Sequence, residues 1–223
     1  NQLTSLDVSN NTALENLYAC CNQLTSLDVS KNTALITLDP DQNQLTSLDV
    51  SNNTALTRIN CSGNKLTALD VSKNTALIDL RVDHNQLTSL DVSKNTALFS
   101  LWCKYNQLTS LDVSKNKALT AMNCRGNDKL TSLNLRNGVT NLLNTFVATD
   151  NSSLTCIETL DPTWATANLT SAKENIDAGV TFAVVCGGTD LTTWHVATTG
   201  SDGSGSGTST SPLATIQTGI NAA

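Results

Sequence analysis

An asparagine recurs at a fixed spacing through most of this chain, and this repeat constrains the fold more than any other feature. Successive asparagines lie 21 residues apart, at Asn22, Asn43, Asn64, Asn85, Asn106 and Asn127. Between them the phrase Leu-Thr-Ser-Leu-Asp-Val-Ser-(Lys/Asn)-Asn-Thr-Ala-Leu returns with few changes. A constant period of this length is typical of a solenoid, in which each coil covers the apolar face of its neighbour. Solenoids present long regular surfaces, and such surfaces commonly bind other molecules.

Each repeat contains two segments with the pattern of a short strand. Apolar and polar residues alternate over 59–61, which is the two-residue period of a strand with one buried face. The segment 66–74 follows the same plan. Each coil is therefore predicted to contain two extended segments and two Asn turns, with parallel strands about 4.8 Å apart between coils. The Asn amides are expected to satisfy backbone groups at the bends of their own and the next coil.

Composition and charge exclude several classes of protein. Aromatic residues make up only 4% of the chain, so Leu, Val, Ile and Ala must form the core. The net charge of −6 and the lack of a basic stripe argue against binding to nucleic acid or to anionic membranes. No apolar run reaches the roughly 18 residues of a membrane span. Because Asn1 already occupies the Asn column, we expect a fragment of a longer protein, and we expect this fragment to be monomeric. No leader pattern is visible, so any signal peptide is expected to lie outside it.

The repeat resembles the leucine-rich repeat family. The pattern LxxLxCxxNxL, with LxxLDVSxN on the other side, is most similar to the 21-residue, cysteine-containing repeats of bacterial internalin-type surface proteins. The resemblance implies a curved solenoid on a cell-surface or secreted bacterial protein, with the LxxLxCxxN strands on its concave side. The expected fold class is mainly β: a leucine-rich repeat solenoid of parallel strands over 1–155, a small C-terminal cap and a short terminal helix.

The two sides of the predicted solenoid differ in how much they vary. The Leu-Asp-Val-Ser side is nearly constant, whereas the other side changes at almost every outward position. Tyr, Trp and Arg are favoured in binding hot spots, so we interpret this variable side as a recognition surface for a protein or polysaccharide. Neutral drift on a tolerant face is the alternative. The candidate ligand-binding residues are Tyr18, Asp39, Arg58, Arg81, Asp83, His84, Phe99, Trp102, Lys104, Tyr105 and Arg125.

A column of carboxylates runs along the constant side. Like charges spaced about 4.8 Å apart repel one another. We expect each Asp to accept hydrogen bonds from its own turn and to be offset by a lysine three residues on. A calcium ladder is the alternative, but no second carboxylate column stands beside the first, and no metal site is predicted. The aspartates are Asp7, Asp28, Asp49, Asp70, Asp91 and Asp112, and the lysines are Lys31, Lys73, Lys94 and Lys115.

Five of the seven cysteines lie within the repeats. Cys61, Cys103 and Cys124 occupy the inward position of the strand and are interpreted as small buried apolar residues. Cys20 and Cys21 fall outside that column and are expected to be exposed. A zinc site is a weak alternative for them, because no His or Cys pair at ligand spacing accompanies them.

The last two cysteines, Cys156 and Cys186, follow the repeats. The phrase Asn-Ser-Ser-Leu-Thr-Cys-Ile, then Trp164 and Phe-Ala-Val-Val-Cys, resembles the caps that follow such bacterial repeats. The resemblance implies a cap over 156–190 and a Cys156–Cys186 disulfide, which suits an exported protein. Such a bridge would stabilise the fold by roughly 3 kcal/mol.

The composition changes again in the final stretch. Residues 200–207 are rich in Gly and Ser, which is typical of a flexible segment. Ser211 and Pro212 are a good start for a short helix. The stretch 194–223 resembles the opening of right-handed parallel β-helix domains of the pectate-lyase-like class. Residues 191–223 are therefore predicted to be a linker and the beginning of a truncated domain of that kind.

No catalytic motif is present, and no cofactor is expected. His84 lies near Asp83 in sequence, but no nucleophile accompanies it at a useful spacing. We therefore predict that this chain is not an enzyme. The main hypothesis is an extracellular binding or adhesion module. The alternatives are a rigid spacer and an accessory region of a larger polysaccharide-acting β-helix protein.

Overall fold

The secondary structure of this chain consists mainly of short parallel β-strands, with one or two strands in each coil. The computed structural model describes residues 1–187, of which 1–184 form one unit. Within it lie β1 (Asn16–Tyr18), β2 (Thr37–Asp39), β3 (Arg58–Asn60), β4 (Asp79–Arg81), β5 (Ser100–Trp102), β6 (Ser110–Asp112), β7 (Ala121–Asn123), β8 (Ser132–Asn134), β9 (Thr145–Val147), β10 (Cys156–Glu158) and β11 (Thr181–Ala183). The predicted segment 191–223, with its terminal helix and its resemblance to a β-helix, lies outside the described residues.

The strands form two parallel sheets. One has seven strands in the order β1-β2-β3-β4-β5-β7-β9, and the other has the order β11-β10-β8-β6. The register advances by one repeat at each step, so that Ile59 pairs with Leu80 and Leu80 pairs with Leu101. The middle residue of each strand in the larger sheet is buried. The prediction of a mainly β solenoid with the leucine-rich repeat fold is confirmed.

The expectation of a second strand in every coil is wrong for the first coils. Between residues 1 and 109 the constant side contains no assigned strand, and the smaller sheet begins only at β6. In each early coil the Asp carboxylate accepts the backbone N–H two residues on, as Asp70 does from Ser72 at 2.8 Å. Asp112 accepts the same bond from Ser114 at the end of β6, so this turn bond is common to coils with and without a second strand.

A single spine of aliphatic side chains forms the core. The leucines that open and close each strand segment are buried in coil after coil, together with the Val of the Asp-Val-Ser phrase. Leu77, Leu80 and Leu87, for example, are fully inaccessible within one coil. Burying a leucine side chain stabilises a fold by about 1.5–3 kcal/mol. The core therefore depends on the repeat itself.

The first Asn row closes the strand side of each coil. Asn85 Nδ2 donates to the carbonyl oxygens of Val82 and Asp83 in its own coil and of Cys61 in the preceding coil. Its Oδ1 accepts the N–H of Leu66 at 2.9 Å. All of the amide's hydrogen-bonding groups are therefore used. The inter-coil bonds run to the preceding coil, not to the next one as expected from the sequence.

The second Asn row closes the other bend and is satisfied less completely. Asn74 Nδ2 donates to the carbonyl oxygens of Val50 and Asn53, at 3.0 and 2.9 Å. Its Oδ1 has no hydrogen-bond partner among the described residues, although the side chain is buried. The same holds in the equivalent residues Asn32, Asn53, Asn95 and Asn116.

The C-terminal part continues the sheets and contains one α-helix within the described residues. Helix α1 (Pro162–Asn168) begins at Asp161, whose carboxylate accepts the N–H of Trp164 at 2.9 Å. Strands β10 and β11 extend the smaller sheet. Cys156 and Cys186 are both disulfide-bonded, while their pairing with each other stays a prediction. None of the helices in residues 1–187 has the length and apolar character of a membrane span.

Candidate functional site

The residues that flank the buried middle of each strand form the variable side. Tyr18, Asp39, Arg81 and Trp102 occupy the same position in β1, β2, β4 and β5, as the sequence predicts. Tyr18 and Arg81 are exposed, whereas Asp39 and Trp102 are half-buried. The repeat therefore carries its variable residues on one side of the seven-stranded sheet. The contacts that these side chains make differ from coil to coil.

A groove of about 600 Å³ lies on this side between β3 and β7. Phe99 and Ile78 immediately precede β5 and β4, and they are 53% and 39% exposed. The two side chains lie in neighbouring coils, and contiguous exposed apolar patches mark interaction sites. We call this feature the Phe99 groove; its lining residues are Arg58, Ile78, Asp79, Arg81, Ala97, Phe99, Ser100, Trp102, Ala118 and Ala121.

Polar contacts fix the indole and one arginine of the Phe99 groove. Trp102 Nε1 donates to Ser100 Oγ at 2.8 Å. The Arg81 guanidinium lies 5.9 Å from the centre of the Trp102 ring, which is within cation–π range. Arg81 also forms an ion pair with Asp79 at 3.3 Å. By contrast, Arg58 forms no ion pair with any of residues 1–187.

A second group of candidates lies where the chain leaves the strand. Cys21, Gln42, Gly63, His84, Tyr105 and Gly126 occupy one column, and all have positive φ. His84 and Tyr105 come from neighbouring coils, and their ring centres are 4.6 Å apart with planes tilted by 31°. These two rings do not line the Phe99 groove. Phe99 and Trp102 therefore line the Phe99 groove, whereas Tyr105 of the same coil packs against His84 outside it.

Asp83 is largely withdrawn from the surface that the sequence assigns it to. Its side chain is buried, and its Oδ1 accepts the backbone N–H of Lys104 at 2.9 Å. Burial raises the pKa of the Asp83 carboxyl, and the hydrogen bond from Lys104 partly opposes this effect. The carboxylate thus joins two coils, which is a structural role.

Arg125 is also engaged within the chain. Its guanidinium contacts the Asp150 carboxylate at 2.7–2.8 Å, and this bond raises the pKa of the arginine. Both side chains remain about half exposed, so the pair adds little to stability. Of the predicted candidates, the Phe99 groove gathers Arg58, Arg81, Phe99 and Trp102. The groove also contains residues that sequence analysis missed, of which Ile78, Asp79 and Ser100 are the most consequential.

The carboxylates of the constant side act as turn acceptors, as predicted. Each bonds to the N–H of the Ser two residues on, at 2.7–2.9 Å. These hydrogen bonds lower the pKa of Asp7, Asp28, Asp49, Asp70 and Asp91. No cluster of three or more potential metal ligands occurs among residues 1–187.

The thiols fall into two groups. Cys61, Cys103 and Cys124 are fully buried, and burial raises the pKa of Cys61 and Cys124 to about 12. Cys20 and Cys21 are exposed free thiols, and the hydrogen bond with Cys21 raises the pKa of Cys20. The placement of all five agrees with the sequence-based expectation.

The sequence matches no family model and no curated protein. Among solved structures, the functional domain of InlJ from Listeria monocytogenes, described as including a cysteine ladder, is 33% identical. The match has a TM-score of 0.60 and covers 70% of this chain, which spans only 33% of that structure.

Two further solved structures support the fold. Internalin C2 of Listeria monocytogenes is 19% identical with a TM-score of 0.54, and the match covers 78% of this chain and 84% of that one. A leucine-rich repeat protein of Leptospira interrogans is 19% identical with a TM-score of 0.51, covering 68% and 44%. These three structural neighbours are bacterial proteins, internalins among them.

Proposed function

We propose that this chain is the recognition module of a secreted or cell-surface bacterial protein, and that it binds a protein ligand through the variable side of its repeats. The observation that carries the proposal is the Phe99 groove. It combines exposed apolar side chains with Trp102 and two arginines, the residue types that dominate binding energy at interfaces. The constant side offers the same Thr, Ser and Asp side chains in coil after coil.

The internalin-like neighbours support a binding role, since solenoids of this kind use their regular surfaces for recognition. A non-enzymatic role fits the same comparison. Apart from the buried Asp83, the candidate binding residues outside the groove belong to the same surface and would form its periphery: Tyr18, Asp39, His84, Lys104, Tyr105 and Arg125. A rigid spacer is the competing function.

The two functions can be separated with an array of purified extracellular proteins and glycans. The full chain, labelled with a fluorophore at its N-terminus, is compared with Phe99→Ala and Trp102→Ala. Leu142→Ala is the matched control, because Leu142 is equally exposed but lies outside the groove. A binding module loses a protein signal in both groove variants and keeps it in the control. A spacer gives no signal that depends on the groove.

A further inference from the structure

We infer that the Phe99 groove receives a large apolar side chain of a polypeptide partner, and that a carboxylate next to that side chain pairs with Arg58. This inference rests on the proposed binding function and specifies the chemistry of the partner. Its occupant is a protein segment in which an aromatic or aliphatic residue adjoins Asp or Glu. The argument uses the groove's walls, its unpaired charge and its engaged polar groups.

The apolar half of the groove accounts for the anchor. Phe99 and Ile78 stand side by side in neighbouring coils, because their strands pair in register. Ala97, Ala118 and Ala121 lie beside them, and their small side chains leave the space open. The groove has a volume of about 600 Å³ and is open to solvent along its length. A single large apolar side chain fits there and would cover surface that is exposed in this chain.

The charge of the groove indicates which residue of the partner should lie next to its apolar side chain. Arg58 and Arg81 outnumber the one carboxylate, Asp79, although the whole chain has a net charge of −6. Asp79 pairs with Arg81 and not with Arg58. Arg58 therefore presents an exposed guanidinium without an ion pair in residues 1–187, and a planar guanidinium is well suited to bind a carboxylate with two hydrogen bonds.

The polar groups already engaged argue for a polypeptide over a neutral glycan. Sugar hydroxyl groups need both acceptors and donors around them. Both oxygens of the Asp79 carboxylate lie within 3.4 Å of Arg81 Nε, and Ser100 Oγ accepts from Trp102 Nε1. Arg58 has no such partner among residues 1–187, and its guanidinium is a cation that only donates hydrogen bonds. Its natural partner is an anionic acceptor.

The charge pattern of the neighbouring coils adds a direction. On the variable side of the first two coils, Glu15, Asp39 and Asp41 supply negative charge, and the segments 15–21 and 36–42 contain no Lys or Arg. Arg58 and Arg81 follow in β3 and β4. A partner would thus place its acidic residue over β3 and β4 and its basic residues over β1 and β2, since complementary charge steers association and fixes register.

The experiment is a titration of the ¹⁵N-labelled full chain with four defined probes, followed by the Trp102 indole N–H signal. Three are capped hexapeptides in which Gly-Gly and Gly-Gly flank Phe-Asp, Phe-Lys or Ser-Asp, and the fourth is cellohexaose. The Phe-Asp peptide should bind in the millimolar range and about tenfold more tightly than Phe-Lys. The Ser-Asp peptide should bind more weakly than Phe-Asp. Added salt should reduce the preference for Phe-Asp over Phe-Lys.

Variants test separately the charged part of the groove, at Arg58, and its apolar part, at Phe99. Arg58→Gln should abolish the preference for Phe-Asp over Phe-Lys, whereas Lys94→Gln, on the constant side, should leave it unchanged. Phe99→Ala should weaken both Phe peptides, and Leu142→Ala should weaken neither. The spectrum of each free variant reports whether it is folded.

Three outcomes overturn the inference: equal or reversed affinity for Phe-Lys, a response to cellohexaose alone, or no response to any probe at millimolar concentration. If a protein signal on the array still depends on Phe99 in any of these cases, the proposed function stands and only the chemistry of the occupant is wrong. If the array signal is also absent, the proposed function fails as well.

Discussion

The Tyr105 ring occupies the space that a side chain at position 126 would need. A Cβ added to Gly126 would lie 2.5 Å from Tyr105 Cδ1 and 2.8 Å from Cε1. The two residues belong to the same column in neighbouring coils, and Gly126 has a φ of +70°. Glycine at 126 therefore lets the Tyr105 ring fold over the next coil, while His84 packs against it from the preceding coil.

We expect Gly126→Ala to destabilise the chain more than Gly138→Ala does. Both glycines have positive φ, so each substitution has the backbone cost of about 1–2 kcal/mol. Only at position 126 does the new methyl group meet a ring; at 138 the nearest atom is 4.0 Å away. Overpacking adds about 1–3 kcal/mol at 126. Urea unfolding measures the difference, and an unmoved Tyr105 ring signal in the NMR spectrum of Gly126→Ala would contradict the explanation.

The two Asn rows should differ in their contribution to stability. Asn85→Ala removes four hydrogen bonds and leaves buried backbone groups unpaired. Its cost is expected to be about 3 kcal/mol or more. Asn74→Ala removes two bonds and also an acceptor that is itself unsatisfied, so it should cost less. Equal shifts in the urea midpoint would show that the rows are equivalent.

Asp83→Asn should stabilise the chain at neutral pH, and the gain should fade in acid. Asn can still accept the Lys104 N–H but carries no charge to desolvate. Because burial raises the folded-state pKa of Asp83, its penalty is complete above that pKa and disappears as the pH falls towards the unfolded value of 3.8.

Asp70→Asn provides a control of opposite sign for Asp83→Asn. The bond from Ser72 lowers the folded-state pKa of Asp70, so its stabilisation is complete above 3.8 and is lost as the pH falls through the lowered value. Urea midpoints measured across the acid range check both variants. The same pH trend in the two variants would refute the assignment.

Thiol labelling should separate the cysteines into three groups. Cys20 and Cys21 are exposed and should react with iodoacetamide in the native protein. Cys61, Cys103 and Cys124 are buried with raised pKa values, so they should react only after unfolding in urea. Cys156 and Cys186 should require a reductant as well. Mass spectrometry after each step gives the sites, and native labelling of Cys103 at the rate of Cys20 would contradict the buried column.

The cysteines and the Asn rows show most clearly what can be predicted from the sequence alone. Inward Cys61 and outward Cys20 follow from the two-residue alternation alone, since a strand allows only two sides. The sequence also shows that Asn85 must satisfy a bend. It does not show that Asn85 bonds to the preceding coil, or that Asn74 keeps an unpaired oxygen, because both depend on the offset between stacked coils.

What the sequence determined by itself is the period, the buried leucines and the side on which variable residues stand, because each of these follows from a local pattern repeated every 21 residues as far as Asn127. The period also places Ile78 beside Phe99 and His84 beside Tyr105, since the residues of each pair lie 21 apart. Only the tertiary structure decided how such neighbours are used: Ile78 and Phe99 line a groove, Tyr105 packs on His84, and Asp83 turns inward to bond to Lys104. Contacts between coils depend on side-chain size and orientation across the stack, and no pattern within a single repeat contains that information.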